Sequence, residues 1–251
     1  MTDLTIVIPA YREAEALSLL LPRLKAQVER LSPDSEILII DTQTPLDHTR
    51  EVCREHGVRH VARANGNNYG DAVRTGIAEA RGEFLLFMDA DGSHNPNQLH
   101  LLWDQRQESD LVIGSRYVDG GITENPAVLI LMSWMVNVTY RLVFGLRVMD
   151  VSNSFRLYRA KYLREMPLRC ENFDIIQEIL IRAPRFGATR ILEVPVTFEK
   201  RKAGESKRNL LQFAFTYITT ILRLMRYCRQ APASQPMSKP SKAPYQIARA
   251  D

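Results

Sequence analysis

Phe84-Leu85-Leu86-Phe87-Met88-Asp89-Ala90-Asp91-Gly92-Ser93-His94 is an apolar run that breaks abruptly into carboxylates and a glycine-bearing turn. A short apolar run bounded by turn residues reads as a strand buried on both faces, the kind found inside a parallel sheet. The residues before it agree. Leu4 to Pro9 is a β-branched run stopped by proline, and Leu17, Leu20, Leu21, Leu24, Val28 and Leu31 then recur at helical spacing, with Pro22 disturbing their regularity. Glu36 to Asp41 reads as a second strand, Asp47 to His56 as a helix, Val58 to Val61 as a third strand and Asp71 to Ala80 as another helix. Strands alternating with helices predict an α/β fold, a mainly parallel central sheet flanked by helices.

Downstream, a helix is expected from about Pro96 and a strand over Asp110 to Gly114. Beyond that the alternation weakens: Phe155 to Tyr158 and Arg190 to Phe198 look extended, while Asp174 to Arg182 and Asn209 to Tyr227 look helical. The last of these carries Leu210, Leu211, Ala214, Tyr217, Ile218, Ile221, Leu222 and Met225 on one face, ringed by Arg223, Arg226 and Arg229. Such a face suits lipid, a partner helix or the sheet itself. Ala127 to Val148 is the most apolar region, but Asn137 and Arg141 interrupt it, so one or two amphipathic or buried helices are expected rather than a membrane span. Ala231 to Asp251 holds four prolines and little apolar content and reads as an extension. One domain over residues 1–230, with halves 1–120 and 121–230, and a tail over 231–251 follow from this pass.

Composition sets outer bounds. With 251 residues and 45% hydrophobic content the chain builds one sizeable core, which argues against a disordered or fibrous protein. The net charge of +4, much of it arising after residue 199, suits phosphate-rich ligands or an anionic lipid surface, and a solvated basic face equally well. The basic residues are not interleaved with aromatics in a stripe, which argues against nucleic acid. Three scattered cysteines give neither a disulfide framework nor a zinc site, and Asp3 leads straight into the first strand without a basic and apolar leader. A cytoplasmic protein is expected, with peripheral contact to the cytoplasmic membrane face left open.

In sheets of this kind ligands gather at the carboxyl ends of the strands. Asp89 and Asp91 lie two positions apart at such an end, where a turn brings both toward one divalent ion, Mg²⁺ or Mn²⁺, able to bridge the phosphates of a nucleotide donor. Asp41 closes another strand and is placed for a base or ribose, and Pro9-Ala10-Tyr11-Arg12-Glu13 closes the first. A set of helix caps and turn residues gives the same pattern. Asn65 to Asp71 carries Gly66 and Gly70 before a helix without the dinucleotide spacing; an exposed turn and a nucleotide contact both fit it. Arg116, Arg156, Arg201, Lys202 and Lys207, the last three flanking Gly204-Glu205-Ser206, supply forks and point charges for phosphate.

Taken in order, Val7-Ile8-Pro9-Ala10-Tyr11 with Glu13, Asn68-Tyr69-Gly70-Asp71-Ala72, Met88 to Pro96, Gly114-Ser115-Arg116-Tyr117, Ser154-Phe155-Arg156, Glu193-Val194-Pro195 and Gly204-Glu205-Ser206-Lys207 resemble the family 2 glycosyltransferases of GT-A fold, specifically the dolichyl- or polyprenyl-phosphate mannosyltransferase group. The likeness spans roughly residues 4 to 225. It implies a metal-dependent, inverting transfer of a sugar from a nucleoside-diphosphate donor (GDP-mannose or a UDP-sugar) to a polyprenyl phosphate. It further implies nucleotide contact from Pro9, Tyr11, Glu13, Asp41, Asn68, Gly70, Asp71, Asp89 and Ala90 in the first half, and metal binding by Asp91 with Asp89. Arg116, Arg201 and Lys207 would face phosphates, and Arg156, Glu178 and Ser206 would lie on the acceptor side. Asp41-Thr42-Gln43-Thr44-Pro45-Leu46-Asp47 departs from the family, which has paired aspartates and a Gly-Ser turn there; Gly92 and Asn153 are further departures. A transferase for a soluble hydroxyl acceptor, with Asp174 or Glu178 as base, and an inactive nucleotide-binding homologue are the competing readings.

Overall fold

The computed structural model describes residues 2–200 and 219–227. The first half runs β1 (Leu4–Pro9), α1 (Ala14–Leu31), β2 (Ser35–Asp41), α2 (Thr49–Glu55), β3 (Arg59–Ala62), α3 (Tyr69–Glu79), β4 (Phe84–Phe87), a 3₁₀ turn (Pro96–Gln98), α4 (Leu99–Trp103) and β5 (Leu111–Ser115). It continues through β6 (Ile122–Thr123), α5 (Ala127–Phe144), β7 (Arg156–Arg159), α6 (Ala160–Arg164), α7 (Asp174–Arg182), a second 3₁₀ turn (Ala183–Phe186), β8 (Ile191–Pro195) and β9 (Thr197–Phe198). Residues 219–227 form a further helix, α8. The upstream part of the helix expected over 209–227, and the tail over 231–251, lie outside the described residues.

Seven strands pair in the order β3-β2-β1-β4-β7-β5-β8. β1 to β4 are parallel, and β8 is parallel to β5. β7 lies between β4 and β5 and runs antiparallel to both, so the sheet is mixed at its centre. Side chains alternate across the two buried faces. Val7, Leu38, Ile40, Leu85 and Phe87 meet α3, α6 and α7 on one side, and Ile6, Ile8, Ile37, Ile39 and Leu86 meet α1 and α4 on the other. Burial of both faces is the reason the strands read as unbroken apolar runs.

Helix boundaries follow their caps. α2 begins at Thr49, later than its pattern suggests, because Asp47 is used outside it: its carboxylate accepts from the N–H of Thr49 at 2.9 Å and from the N–H of Ala14, at the start of α1, at 3.0 Å. α3 begins at Tyr69 because the Asn68 side chain accepts from the N–H of Asp71 at 2.8 Å. α1 runs unbroken past Pro22, its six buried residues facing the sheet. α5 is one helix of 18 residues, apolar enough by length and composition to cross a membrane, with a mean hydropathy of 1.6. Only Met132, Val136, Asn137 and Tyr140 on it are buried, and Asn137 is no interruption, since its Oδ1 accepts from the N–H of Val151 at 3.1 Å.

Candidate active site

The carboxyl ends of β1 to β4 converge on one edge. After β1, the N–H of Ala10 continues the ladder to Ile40 at 2.9 Å, Tyr11 stands half exposed, and Arg12 turns the chain with φ +58, a left-handed conformation rare for a non-glycine residue. Glu13 stands at the start of α1. After β2, buried Asp41 accepts from the N–H of Thr42 at 2.7 Å and pairs with His60 Nε2, on neighbouring β3, at 3.1 Å. The 41–47 turn that departs from the family is firmly tied: Gln43 donates from its N–H to Asn67 Oδ1 at 2.8 Å, and Thr42 Oγ1 donates to the carbonyl of Thr44 at 2.8 Å. Asp47, held below the ordinary carboxylate range, is buried enough to be pushed the other way, but the hydrogen bonds from Thr49 and Ala14 outweigh that.

Arg63, which sequence reasoning missed, joins these ends. It is buried and donates to the carbonyls of Ala10, at 2.5 Å, of Asn68, at 3.2 Å, and of Asn67. Burial lowers its pKa, with Asp41 and Asp71 acting in opposition. The residues of the 68–71 stretch are engaged in the same framework. Asn68 caps α3, Asp71 pairs with Arg74 at 2.7 Å, and the N–H of Gly70 donates to Glu171 at 2.6 Å. The signal that could have found Arg63 is faint: an arginine one residue past a strand, facing a loop rich in carbonyls.

Beyond β4, Asp89 Oδ1 accepts from Ser154 Oγ at 2.9 Å, and Asp91 Oδ1 accepts from the N–H and Oγ of Ser93 at 3.0 and 2.6 Å. Gly92, between Asp91 and Ser93, has φ +78, a conformation in which glycine avoids strain. His94 fixes the turn. Its Nδ1 accepts from the N–H of Asp89 at 3.0 Å, so Nε2 carries the proton and donates to Asn153 Oδ1 at 3.0 Å. Asn153 in turn donates to the carbonyl of Gly114 at 2.6 Å, which ties the carboxylate turn to the end of β5. Asn153 and Ser154, notable in the sequence for other reasons, thus hold the Asp89 turn.

The donor set suits a hard cation. Among the described residues no His, Cys, Asp or Glu joins Asp89 and Asp91 to make a cluster of three. Two carboxylates with the balance supplied by water and phosphate is the way Mg²⁺ is ordinarily held beside a nucleotide. His94, both ring nitrogens engaged, is not a ligand in this arrangement.

The basic residues separate. Arg116 is clamped on buried Asp150, through Nε at 2.7 Å and Nη2 at 2.9 Å, and also donates to Ser152 and Ser133. Burial would raise the Asp150 pKa, but Arg116 overrides it and holds the carboxyl below its usual range. Glu193 accepts from the N–H groups of Met149 and Asp150 at 2.6 and 2.9 Å, and burial pushes its own pKa up. Arg156 lies wholly inside, donating to the carbonyls of Ile176 and Val151, and so does not reach an acceptor surface. Glu178 is likewise fully buried; its Oε2 accepts from the N–H groups of Arg169 and Cys170, and Arg182 lies 3.5 Å from Oε1. Both side chains are thus enclosed within the folded frame. Arg201, Lys202, Ser206 and Lys207 lie outside the described residues.

A sequence profile of Glycosyl transferase family 2 matches residues 5–166. The undecaprenyl-phosphate mannosyltransferase of Micrococcus luteus is 36% identical over 213 residues, covering 80% of this chain and 85% of that protein. The polyprenol monophosphomannose synthase of Mycolicibacterium smegmatis is 31% identical over 216 residues, covering 80% and 79%. Among solved structures, glucosyl-3-phosphoglycerate synthase from Mycobacterium tuberculosis, in complex with Mn²⁺, uridine diphosphate and glucosyl-3-phosphoglycerate, superposes with a TM-score of 0.70. It is 18% identical, with 92% of this chain and 82% of that one covered. At that identity the likeness establishes the fold, the α/β arrangement of GT-A type expected from the sequence.

Proposed function

Because the chain belongs to glycosyl transferase family 2, we propose that it transfers a sugar from a nucleoside-diphosphate donor to a polyprenyl phosphate, with a divalent ion held by Asp89 and Asp91. The observation that carries this reading is the pair of carboxylates braced by Ser154 and Ser93 at the end of β4. Two carboxylates two positions apart at the end of one strand would repel a diphosphate unless a cation lay between them. A bound Mg²⁺ or Mn²⁺ there offsets the charge that gathers on the departing diphosphate. Around it, the Ala10 and Asp41 strand ends form the nucleotide side, and Arg63 keeps their spacing. A phosphate acceptor is already ionised at neutral pH, so the transfer needs no general base. That accords with Glu178, the expected acceptor-side acid, being enclosed.

The outer face of α5 supports a lipid acceptor. Val128, Leu131, Trp134, Met135, Leu142 and Val143 are exposed along it, the helix has no carboxylate, and Arg141 and Arg147 stand near its end. The sequence relatives act, by their names, on lipid phosphates. A second reading, transfer to a soluble hydroxyl, is favoured by the fold neighbour, whose complex holds a glucosylated phosphoglycerate. One assay separates them: GDP-mannose and UDP-glucose are offered with Mg²⁺ or Mn²⁺ and either polyprenyl phosphate in detergent or phosphoglyceric acid, and products are identified by mass. Metal-dependent glycosyl polyprenyl phosphate is expected. Product from phosphoglyceric acid alone would replace the lipid reading with the soluble one, and no transfer under any pairing would overturn both.

A further inference from the structure

Resting on that transferase reading, we propose that Phe173 is the surface on which the donor's sugar lies during transfer. No motif of the sequence pointed to it. Phe173 sits just before α7 and is 50% exposed. Its ring stacks on Tyr69 with centroids 4.1 Å apart and planes 19° from parallel. Tyr69 opens α3 at the same edge as the strand ends, and its hydroxyl is buried close to Ser154 and Asp89. One ring thus separates Phe173 from the carboxylate assigned to the metal.

The loop is held there by built contacts. The N–H of Gly70 donates to Glu171 at 2.6 Å, Arg74 donates to the carbonyl of Cys170 at 2.6 Å, and Glu178 accepts from the N–H groups of Arg169 and Cys170. The N–H of Asn172 donates to Asp174 at 3.0 Å. A Cβ on Gly70 would come within 2.3 Å of the Cys170 carbonyl, so the loop and α3 approach this closely only because residue 70 is glycine. These contacts hold the loop against α3 and α7 and leave the Phe173 ring half exposed at the rim of the site.

The surroundings select the ligand class. Glu171 and Asn172, the preceding residues, are exposed. A pyranose has one face of C–H groups and a periphery of hydroxyls. The electron-rich face of an aromatic ring attracts the first, and a carboxylate and an amide accept from or donate to the second. An isoprenoid tail would gain nothing from those polar neighbours, and the exposed apolar residues it would need collect instead on α5.

The test compares Phe173→Ala, Phe173→Leu and Phe173→Trp with the wild type. Affinity for a nucleoside diphosphate and for the matching nucleotide sugar is measured by calorimetry with Mn²⁺, beside the melting temperature. Phe173→Ala and Phe173→Leu should weaken nucleotide-sugar binding by roughly three- to tenfold, the span of an aromatic stacking contact, while leaving the diphosphate unchanged; Phe173→Trp should restore it. Phe173→Leu keeps apolar bulk, so it separates stacking from packing. Equal losses for both ligands, or none for either, would overturn the assignment of Phe173 alone. Failure of the wild type to bind any nucleotide sugar would instead bring down the transferase reading, and this inference with it.

Discussion

Asp150 is the residue on which the second half's polar turn depends. It is fully buried, takes both forks of Arg116, and accepts from the N–H groups of Ser152 and Asn153 at 3.2 and 3.1 Å. Removing one partner of a buried pair strands the other charge, so Asp150→Ala should cost about 3–5 kcal/mol in urea unfolding. The pH dependence has a definite sign. A carboxyl whose folded pKa lies below its usual 3.8 adds stability above that value and loses it as pH falls through the folded one. Wild-type stability should therefore drop on acidification below about pH 4, and the variant's curve should be flatter there. Asp91→Asn keeps the acceptor for Ser93 but removes the charge, so turnover should fall at least about a hundredfold with little change in melting temperature. At this scale the sequence showed that Asp41, Asp89 and Asp91 follow apolar strands, and the structure places each of them just past the carboxyl end of its strand or on its last residue. It did not disclose that Arg156 and Glu178 face inward, since a charged residue's side of the backbone depends on β7 and α7 packing together.

At the scale of elements, α5 is the least settled against its own fold. Burying four of its residues leaves an apolar outer face that the pattern did not reveal, because one of its few polar residues, Asn137, is turned inward to accept from the N–H of Val151. Leu131→Glu with Trp134→Glu should alter stability by no more than about 1 kcal/mol, both sites being exposed. On the lipid reading the same pair should abolish co-sedimentation with vesicles containing anionic lipid and depress transfer to long-chain acceptors, sparing donor binding. Unchanged co-sedimentation would show that α5 faces something else. Capping chemistry, by contrast, was only partly legible: Asp47 looked like the start of α2, yet its carboxylate serves two helices at once.

For the molecule as a whole, the parallel first half was readable strand by strand, while the antiparallel β7 was not, because four residues of extended pattern do not say which neighbours they will join. Its position makes one continuous sheet of both halves. The two tryptophans, Trp103 on α4 and Trp134 on α5, report on opposite sides of that junction. Trp103→Phe and Trp134→Phe variants, each leaving one fluorophore, should melt with coincident midpoints. Leu157→Ala, in the centre of β7, should cost about 2–5 kcal/mol of stability and lower both midpoints together. Separate midpoints would mean that the halves unfold independently.

The insertion of β7 also sets a timetable. A ribosome delivers β4 and β5 tens of residues before Arg156–Arg159 emerges, so for that interval each presents an open, apolar edge with its permanent neighbour still unmade. Nascent chains halted near residue 120 should accordingly be the species that recruit chaperones, and those halted once β7 and β8, to residue 195, have cleared the exit tunnel should not.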